Sequence, residues 1–157
     1  MITMYITSSC SSCRKAKKWF EKYHIEFKEK NIFAMRLTRE EIFDILKLSE
    51  NGFEDIISER SKIVKESNVD FEAMSINELA DFIIDHPTML RRPIITDGQK
   101  LLVGYNEDEI RMFFPKKLRK MIMENNVDQA EELRFVYALD EYLERNKKSK
   151  KLQMQGN

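Results

Sequence analysis

Two cysteines three residues apart, Cys10 and Cys13, are the only sulfhydryls in this chain, and they stand where a strand pattern gives way to a helix pattern. Upstream, Met1-Ile-Thr-Met-Tyr-Ile6 has the apolar and β-branched composition of a short strand. Downstream, Ala16, Trp19, Phe20 and Tyr23 recur at three- and four-residue steps, which predicts the buried face of an amphipathic helix. A Cys-x-x-Cys at such a junction sits at the open N–H groups and positive dipole end of a helix, which favour a thiolate. Cys10 lies nearest that end and is expected to be the thiolate-forming sulfur of the two. Arg14, Lys15 and Lys17 add positive charge in the same turn. The pair reads as redox-active. Two other readings stay open: half of a zinc site, and two buried, inert thiols. Structural zinc usually takes four Cys or His ligands, and only His24 and His86 remain, neither at ligand spacing. The serines around the pair argue against a dry, inert setting.

The chain has 157 residues, the size of one ordinary domain with a real core. Charged residues make up 34%, yet the net charge is zero, which argues against strong, autonomous binding to nucleic acid. Apolar residues are plentiful enough for a globule. No apolar run approaches the roughly 20 residues that span a bilayer, and the N-terminus lacks a signal-peptide pattern. Two cysteines suit a reducing compartment, so a cytoplasmic protein without membrane, metal or cofactor is expected.

Along the chain, Ile25, Phe27 and Glu29 alternate as a second strand. Thr38-Arg-Glu-Glu41 is a capping box opening a helix through Ile42, Ile45 and Leu46 to about Leu48. Asn51-Gly52 marks a turn before a short helix at Phe53, Ile56 and Ile57. Ser75-x-x-Glu78 caps a further helix, with Ile76, Leu79, Phe82 and Ile83 expected inside and Pro87 closing it. Ile94–Thr96 and Leu101–Val103 form a hairpin around Asp97-Gly98. Asn106-x-x-Glu109 opens a helix through Ile110 and Phe113, and Pro115 ends that helix or starts the next. Asp128-x-x-Glu131 can cap a helix through about residue 145 carrying Ala130, Leu133, Val136, Tyr137 and Leu143, and residues 147–157 read as a disordered, solvated tail. The expected fold is α/β: a mixed sheet with flanking helices, a helical insertion at about 38–87, and a C-terminal helical extension. Residues 1–120 would form the main domain and 121–157 the extension with its basic tail.

That layout is thioredoxin-like, and the chain resembles the arsenate-reductase-like ArsC family and, within it, the Spx transcriptional regulators. The resemblance covers about residues 1–120. It rests on Cys10-Ser-Ser-Cys-Arg-Lys-Ala16, Asn31-Ile-Phe33, Ile56-Ile-Ser-Glu-Arg-Ser-Lys62 and Leu90-Arg-Arg-Pro-Ile-Ile95. Most specific are Val103-Gly-Tyr-Asn-Glu-Asp-Glu-Ile-Arg111 and Phe114-Pro-Lys-Lys-Leu-Arg119. The resemblance implies a regulator, not an enzyme, that binds the C-terminal domain of the RNA polymerase α subunit and redirects transcription under thiol-oxidative stress. Promoter DNA would be met only in the polymerase complex. It further implies that Cys10 and Cys13 are the thiol/disulfide switch, that Arg92 lies near them, and that Pro93 is the cis proline facing the redox motif. Gly52 matches the glycine of the α-subunit contact, where a larger residue obstructs the surface. Read without the family, Gly52 completes an Asn-Gly turn, and Arg91 and Arg92 are equally well solvated charges before Pro93. ClpXP protease is a further partner of the family, although the ending Met-Gln-Gly-Asn157 lacks the small apolar tail that marks some members.

The alternative is a thiol-dependent reductase of arsenate-reductase type, with Cys10 as nucleophile and Arg60 and Arg92 clamping a tetrahedral oxyanion. Against it, that branch usually carries one cysteine at the helix start. A general disulfide reductase fits less well, because Ser-Ser stands where Gly-Pro is usual between the cysteines.

Overall fold

Strand β1 (Ile2–Ile6) is paired along both edges, and the rest of the fold is arranged around it. On one side it runs parallel to β2 (Phe27–Asn31), with Ile2 opposite Phe27. On the other it runs antiparallel to β3 (Ile94–Thr96), with Met4 opposite Ile95, and β3 pairs antiparallel with β4 (Leu101–Val103). The sheet order is therefore β2-β1-β3-β4, a mixed sheet as expected. This computed structural model describes residues 1–124 and 129–156. Cα proximity divides the chain into two compact units, residues 1–19 with 26–113 and residues 20–25 with 114–157.

In the first unit, side chains alternate across the pleat. Tyr5 and Ile94 face a cluster formed with Ile32, Leu37, Ile42, Ile45, Ile56, Ala80, Ile83, Met89 and Leu90. Met4 and Ile95 point the other way and are also fully buried, so the sheet centre is covered on both faces. Helix α1 (Ser11–Lys22) begins beside the cysteines and in this unit buries Ala16 and Trp19. Between β2 and β3 come α2 (Arg39–Leu48), α3 (Phe53–Ile56), α4 (Lys62–Glu66) and α5 (Ile76–Asp85), the expected insertion. Both capping boxes are present: Thr38 with Glu41 at α2, and Ser75 with Glu78 at α5. Helices α2 and α5 pack together, and the exposed pair Arg39–Asp81 joins their surfaces.

Some local expectations change. Ile76 is 57% exposed, and Ala80 takes the buried place. Ile76 lies on the same stripe as Leu79, Ala80 and Ile83, but it is the first residue of α5 and stands at the end of the stripe, where the core no longer covers it. The segment opened by Asn106 is a 3-10 turn, Glu109–Phe113, with the Asn106 Oδ1 accepting from the amides of Asp108 and Glu109. Helix α4 carried no cap or periodicity clear enough to predict it.

The second unit holds the end of α1, α6 (Lys116–Glu124) and α7 (Gln129–Gln155). His24, at φ 54°, takes the left-handed position after α1 that glycine usually fills. Ile25 N–H to Phe20 O and His24 N–H to Glu21 O close the helix there. Tyr23 meets Phe114 edge-on at 4.8 Å. The capping pair at Asp128 and Glu131 and the inward side chains expected at Ala130, Leu133, Val136 and Tyr137 lie outside the described residues. Residues 147–155 are exposed, as expected of a solvated segment, but helical rather than irregular. Lysine, leucine, glutamine and methionine are all strong helix formers, and Gly156 is the first breaker. Among the described residues, no helix is long and apolar enough to cross a membrane.

Glu41 concentrates several duties. Its Oε2 accepts from the Thr38 amide at 2.9 Å, and its carboxylate receives the Lys30 ammonium of β2 at 2.6 Å. Burial pushes its acidity toward the neutral form, but the bonds from Lys30 and Thr38 outweigh that and hold the carboxyl below its ordinary 4.5. A lowered carboxyl stabilises the fold above its ordinary value and ceases to do so as pH falls through the lower one. Glu41→Gln is therefore expected to cost about 1–2 kcal/mol at neutral pH. The gap to wild type should close in acid below about 4.5. Urea unfolding at neutral and acidic pH measures both.

Candidate functional site

The loop between β1 and α1 places Cys10 at the N-cap of α1, with its own amide bonded to Thr7 O and its carbonyl accepting from Arg14 N–H. The Cys13 amide, three residues on, donates to the Cys10 sulfur at 3.2 Å. This is the N-cap arrangement with sulfur in place of a hydroxyl oxygen, and it directs an orphan helix N–H at that sulfur. Both cysteines are free thiols here. They differ sharply in setting. Cys10 is half-buried, whereas Cys13 is 1% exposed. Burial, then the neighbouring Cys10, pushes the Cys13 thiol up to about 12, against a backbone bond from Thr7 and the charge of Arg92 that pull the other way. The accessible sulfur is thus Cys10, and Cys13 is the one held in reserve behind it.

Arg92 reaches this loop from the start of β3. Its carbonyl lies 3.9 Å from the Cys10 sulfur, and its guanidinium Nη1 donates to Thr7 Oγ1 at 3.3 Å. The Arg92–Pro93 peptide is cis, as expected. Thr7, 3% exposed, is a buried polar side chain that joins the arginine to the cysteine loop. Cys10, Ser9, Ser11 and Ser12 open onto a cavity of about 910 Å³ whose other walls include Arg60, Arg91, Arg92, Glu59 and Tyr105. Three guanidinium groups and one carboxylate make its charge balance positive. Among the described residues, no set of three His, Cys, Asp or Glu side chains is placed to hold a metal ion.

Gly52 lies on a different surface. It stands before α3 at φ 71° and ψ −131°, a conformation L side chains rarely adopt. A Cβ built there meets nothing within 4 Å, so the glycine answers to the backbone and leaves open space outside. Asp55 closes this turn: its Oδ2 accepts from the amides of Glu50 and Asn51 at 2.9 Å each. Those bonds from Asn51 and Glu50, helped by Arg91, keep its carboxyl below the usual range. Gly52 lines a groove of about 810 Å³ with Phe53, Ile57, Val69, Phe71 and Leu79 on its apolar floor and Glu54, Glu59, Asp70 and Glu72 beside them. The two surfaces share backbone. Ile57 bridges Leu90, and the Arg91 amide donates to Ile56 O at 2.8 Å.

The ArsC family profile matches residues 5–113. The global transcriptional regulator Spx of Streptococcus pneumoniae R6 is 52% identical over 120 residues, covering 76% of this chain and 90% of that one. This chain belongs to the Spx group of the ArsC family. Spx of Bacillus subtilis is 50% identical over 119 residues, 76% of this chain and 91% of its own. Spx of Streptococcus pyogenes MGAS315 is 45% identical over 131 residues, 83% and 98%. Those Spx relatives are named global transcriptional regulators. Solved structures share the ArsC fold at lower identity. A possible arsenate reductase from Streptococcus mutans has a TM-score of 0.61 at 18% identity over 70% of this chain and 97% of its own. The arsenate reductase of Vibrio cholerae has 0.56 at 20% over 71% and 92%.

The structure of this Spx-group chain brings Cys10, Cys13, Arg92, Pro93 and Arg60 to one place and sets Gly52 apart on the neighbouring groove. Sequence reasoning missed Thr7 and Asp55. A threonine at a strand end carries no signal of burial, and Asp55 was legible only as the acceptor four residues after Asn51. The burial contrast makes a prediction. At neutral pH iodoacetamide should label Cys10 selectively, and Cys13 should react only after denaturation. Mass spectrometry of tryptic peptides measures it; equal labelling of both cysteines in the folded protein contradicts the asymmetry.

Proposed function

We propose that this chain is a redox-responsive transcriptional regulator that binds the C-terminal domain of the RNA polymerase α subunit through the surface around Gly52. Cys10 and Cys13 are its thiol/disulfide switch, with Arg92 and Pro93 beside it. The observation that carries the reading is the identity of about 50% to Spx regulators across some nine-tenths of their length. The geometry supports it: an accessible sulfur backed by a buried one can form a disulfide within one helical turn without refolding the core. Oxidation removes two electrons and two protons from the pair, and thiol–disulfide exchange returns them, with the compartment's poise setting the balance. Residues 1–120 carry these functions in the cytoplasm, and 121–157 form a C-terminal helical extension with a basic tail. Promoter DNA is reached through the polymerase complex, consistent with zero net charge, and ClpXP-type turnover is a further control. The output is a contact and not a product.

Binding of purified α C-terminal domain to wild type, Gly52→Ala, Gly52→Arg and Cys10→Ala tests this. Both Gly52 variants take on the strain of a positive φ, about 1–2 kcal/mol of stability. Only Gly52→Arg should lose binding, because only it fills the open space. Equal binding by Gly52→Arg and Gly52→Ala removes the assigned surface, and no binding by wild type in either redox state removes the partner.

One observation favours a second reading, a thiol-dependent arsenate reductase: the cavity at Cys10 is walled by Arg60, Arg91 and Arg92. Guanidinium groups match a tetrahedral oxyanion. Steady arsenate turnover with glutathione and glutaredoxin, abolished by Cys10→Ala, would establish that reading; we expect none above background.

A further inference from the structure

Phe33 is a large aromatic residue left 51% exposed just after β2. Its ring face lies 5.2 Å from the Arg92 guanidinium carbon, within the range of a cation–π contact. The same guanidinium is bonded to Thr7 Oγ1, and Thr7 O receives the Cys10 amide. The loop that carries Phe33 is itself tied down. Asn31 Oδ1 accepts from the amides of Phe33 and Ala34 at 3.0 and 3.2 Å, and Asn31 Nδ2 donates to Ser8 Oγ at 3.1 Å. Ser8 follows Thr7 in the cysteine loop. The ring is therefore built into a closed circuit: Phe33 to Arg92, Arg92 to Thr7, and Ser8 back to the Phe33 loop through Asn31.

We propose that Phe33 is a positioning residue for the thiol pair, holding the Arg92 guanidinium against Thr7 and beside the cysteines although it touches neither sulfur. An arginine has many rotamers, and this one faces an open cavity whose walls also carry Arg60 and Arg91. Without a ring beneath it, the guanidinium has water and two like charges to contend with and, among the described residues, only Thr7 to hold it. With the ring, it has one place. The positive charge then stands near the sulfurs at the moment a thiolate attacks, opposed on the cavity wall by the Glu59 carboxylate alone.

The inference rests on reading Cys10 as the working thiol, and its test needs no polymerase, so the two can fail separately. The readout is the alkylation rate of Cys10 at one fixed neutral pH. Iodoacetamide is attacked by the Cys10 thiolate, forming a carbon–sulfur bond and releasing iodide. Phe33→Ala should slow that rate roughly two- to fivefold, the factor set by an exposed cation–π contact. Phe33→Leu, which keeps apolar bulk but has no π face, should slow it as much, while Phe33→Tyr and Phe33→Trp should restore it. In an Arg92→Gln background, Phe33→Ala should change nothing further. An unchanged rate in Phe33→Ala overturns the proposal. So does full activity of Phe33→Leu, or a loss of equal size in the Arg92→Gln background, because each shows the ring acting other than through the arginine. The four variants at a half-exposed position also guard against one that fails to fold.

Discussion

The antiparallel pairing of β1 with β3 is the constraint on which the rest depends. It sets Tyr5 opposite Ile94, and two steps further along the ladder Thr7 meets Arg92 across 85 residues of sequence. Nothing local to either segment would bring them together. The ladder does so because β1 is central: its alternation buries Tyr5 and Met4 on opposite faces, and a one-residue slip would exchange them. The position of the arginine relative to the cysteines is thus held by the hydrophobic core. Core substitutions that loosen this register would be expected to disturb the thiol site without touching it.

The chemistry of the pair follows from a difference in depth. Two chemically identical thiols, separated by less than one helical turn, have opposite exposure because one caps the helix and the other faces inward from its first turn. The N-cap sulfur meets solvent and the N–H of Cys13; the inward one meets apolar side chains that disfavour its charged form. The helix geometry thus leaves one sulfur open to reagents and sets the other behind it.

Much of this was legible in the sequence, for identifiable reasons. The strand, the Cys-x-x-Cys and the helix face of Ala16, Trp19 and Phe20 are local patterns with strong periodicity, and all three hold. The two capping boxes were readable because a hydroxyl and a glutamate three residues apart have a specific bonding purpose. The misses share a cause as well. Ile76 was placed inside by its chemistry and spacing and is outside because it is the first residue of its helix, where the core ends, something only packing decides. Helix α4 is short and lacks a side-chain cap. The helical C-terminal segment follows intrinsic propensity where charge had suggested disorder. At the site, Cys10 and Cys13 stood out from their place between strand and helix, and Arg92 and Pro93 came from motif resemblance, but the roles of Thr7 and Phe33 did not show, because they exist only once the ladder has formed.

The backbone between Met89 and Pro93 has a consequence for how the two surfaces can behave. Met89 O receives Ser58 N–H, Leu90 bridges Ile57, Arg91 N–H reaches Ile56 O, and Pro93 O receives Gly104 N–H at 2.7 Å. Mechanically this is a tie-bar clamped at successive points, with the Cys10 sulfur against one end and the last residues of α3 against the other. The backbone beside the Cys10 sulfur and the backbone that ends α3 are thus parts of one hydrogen-bonded segment.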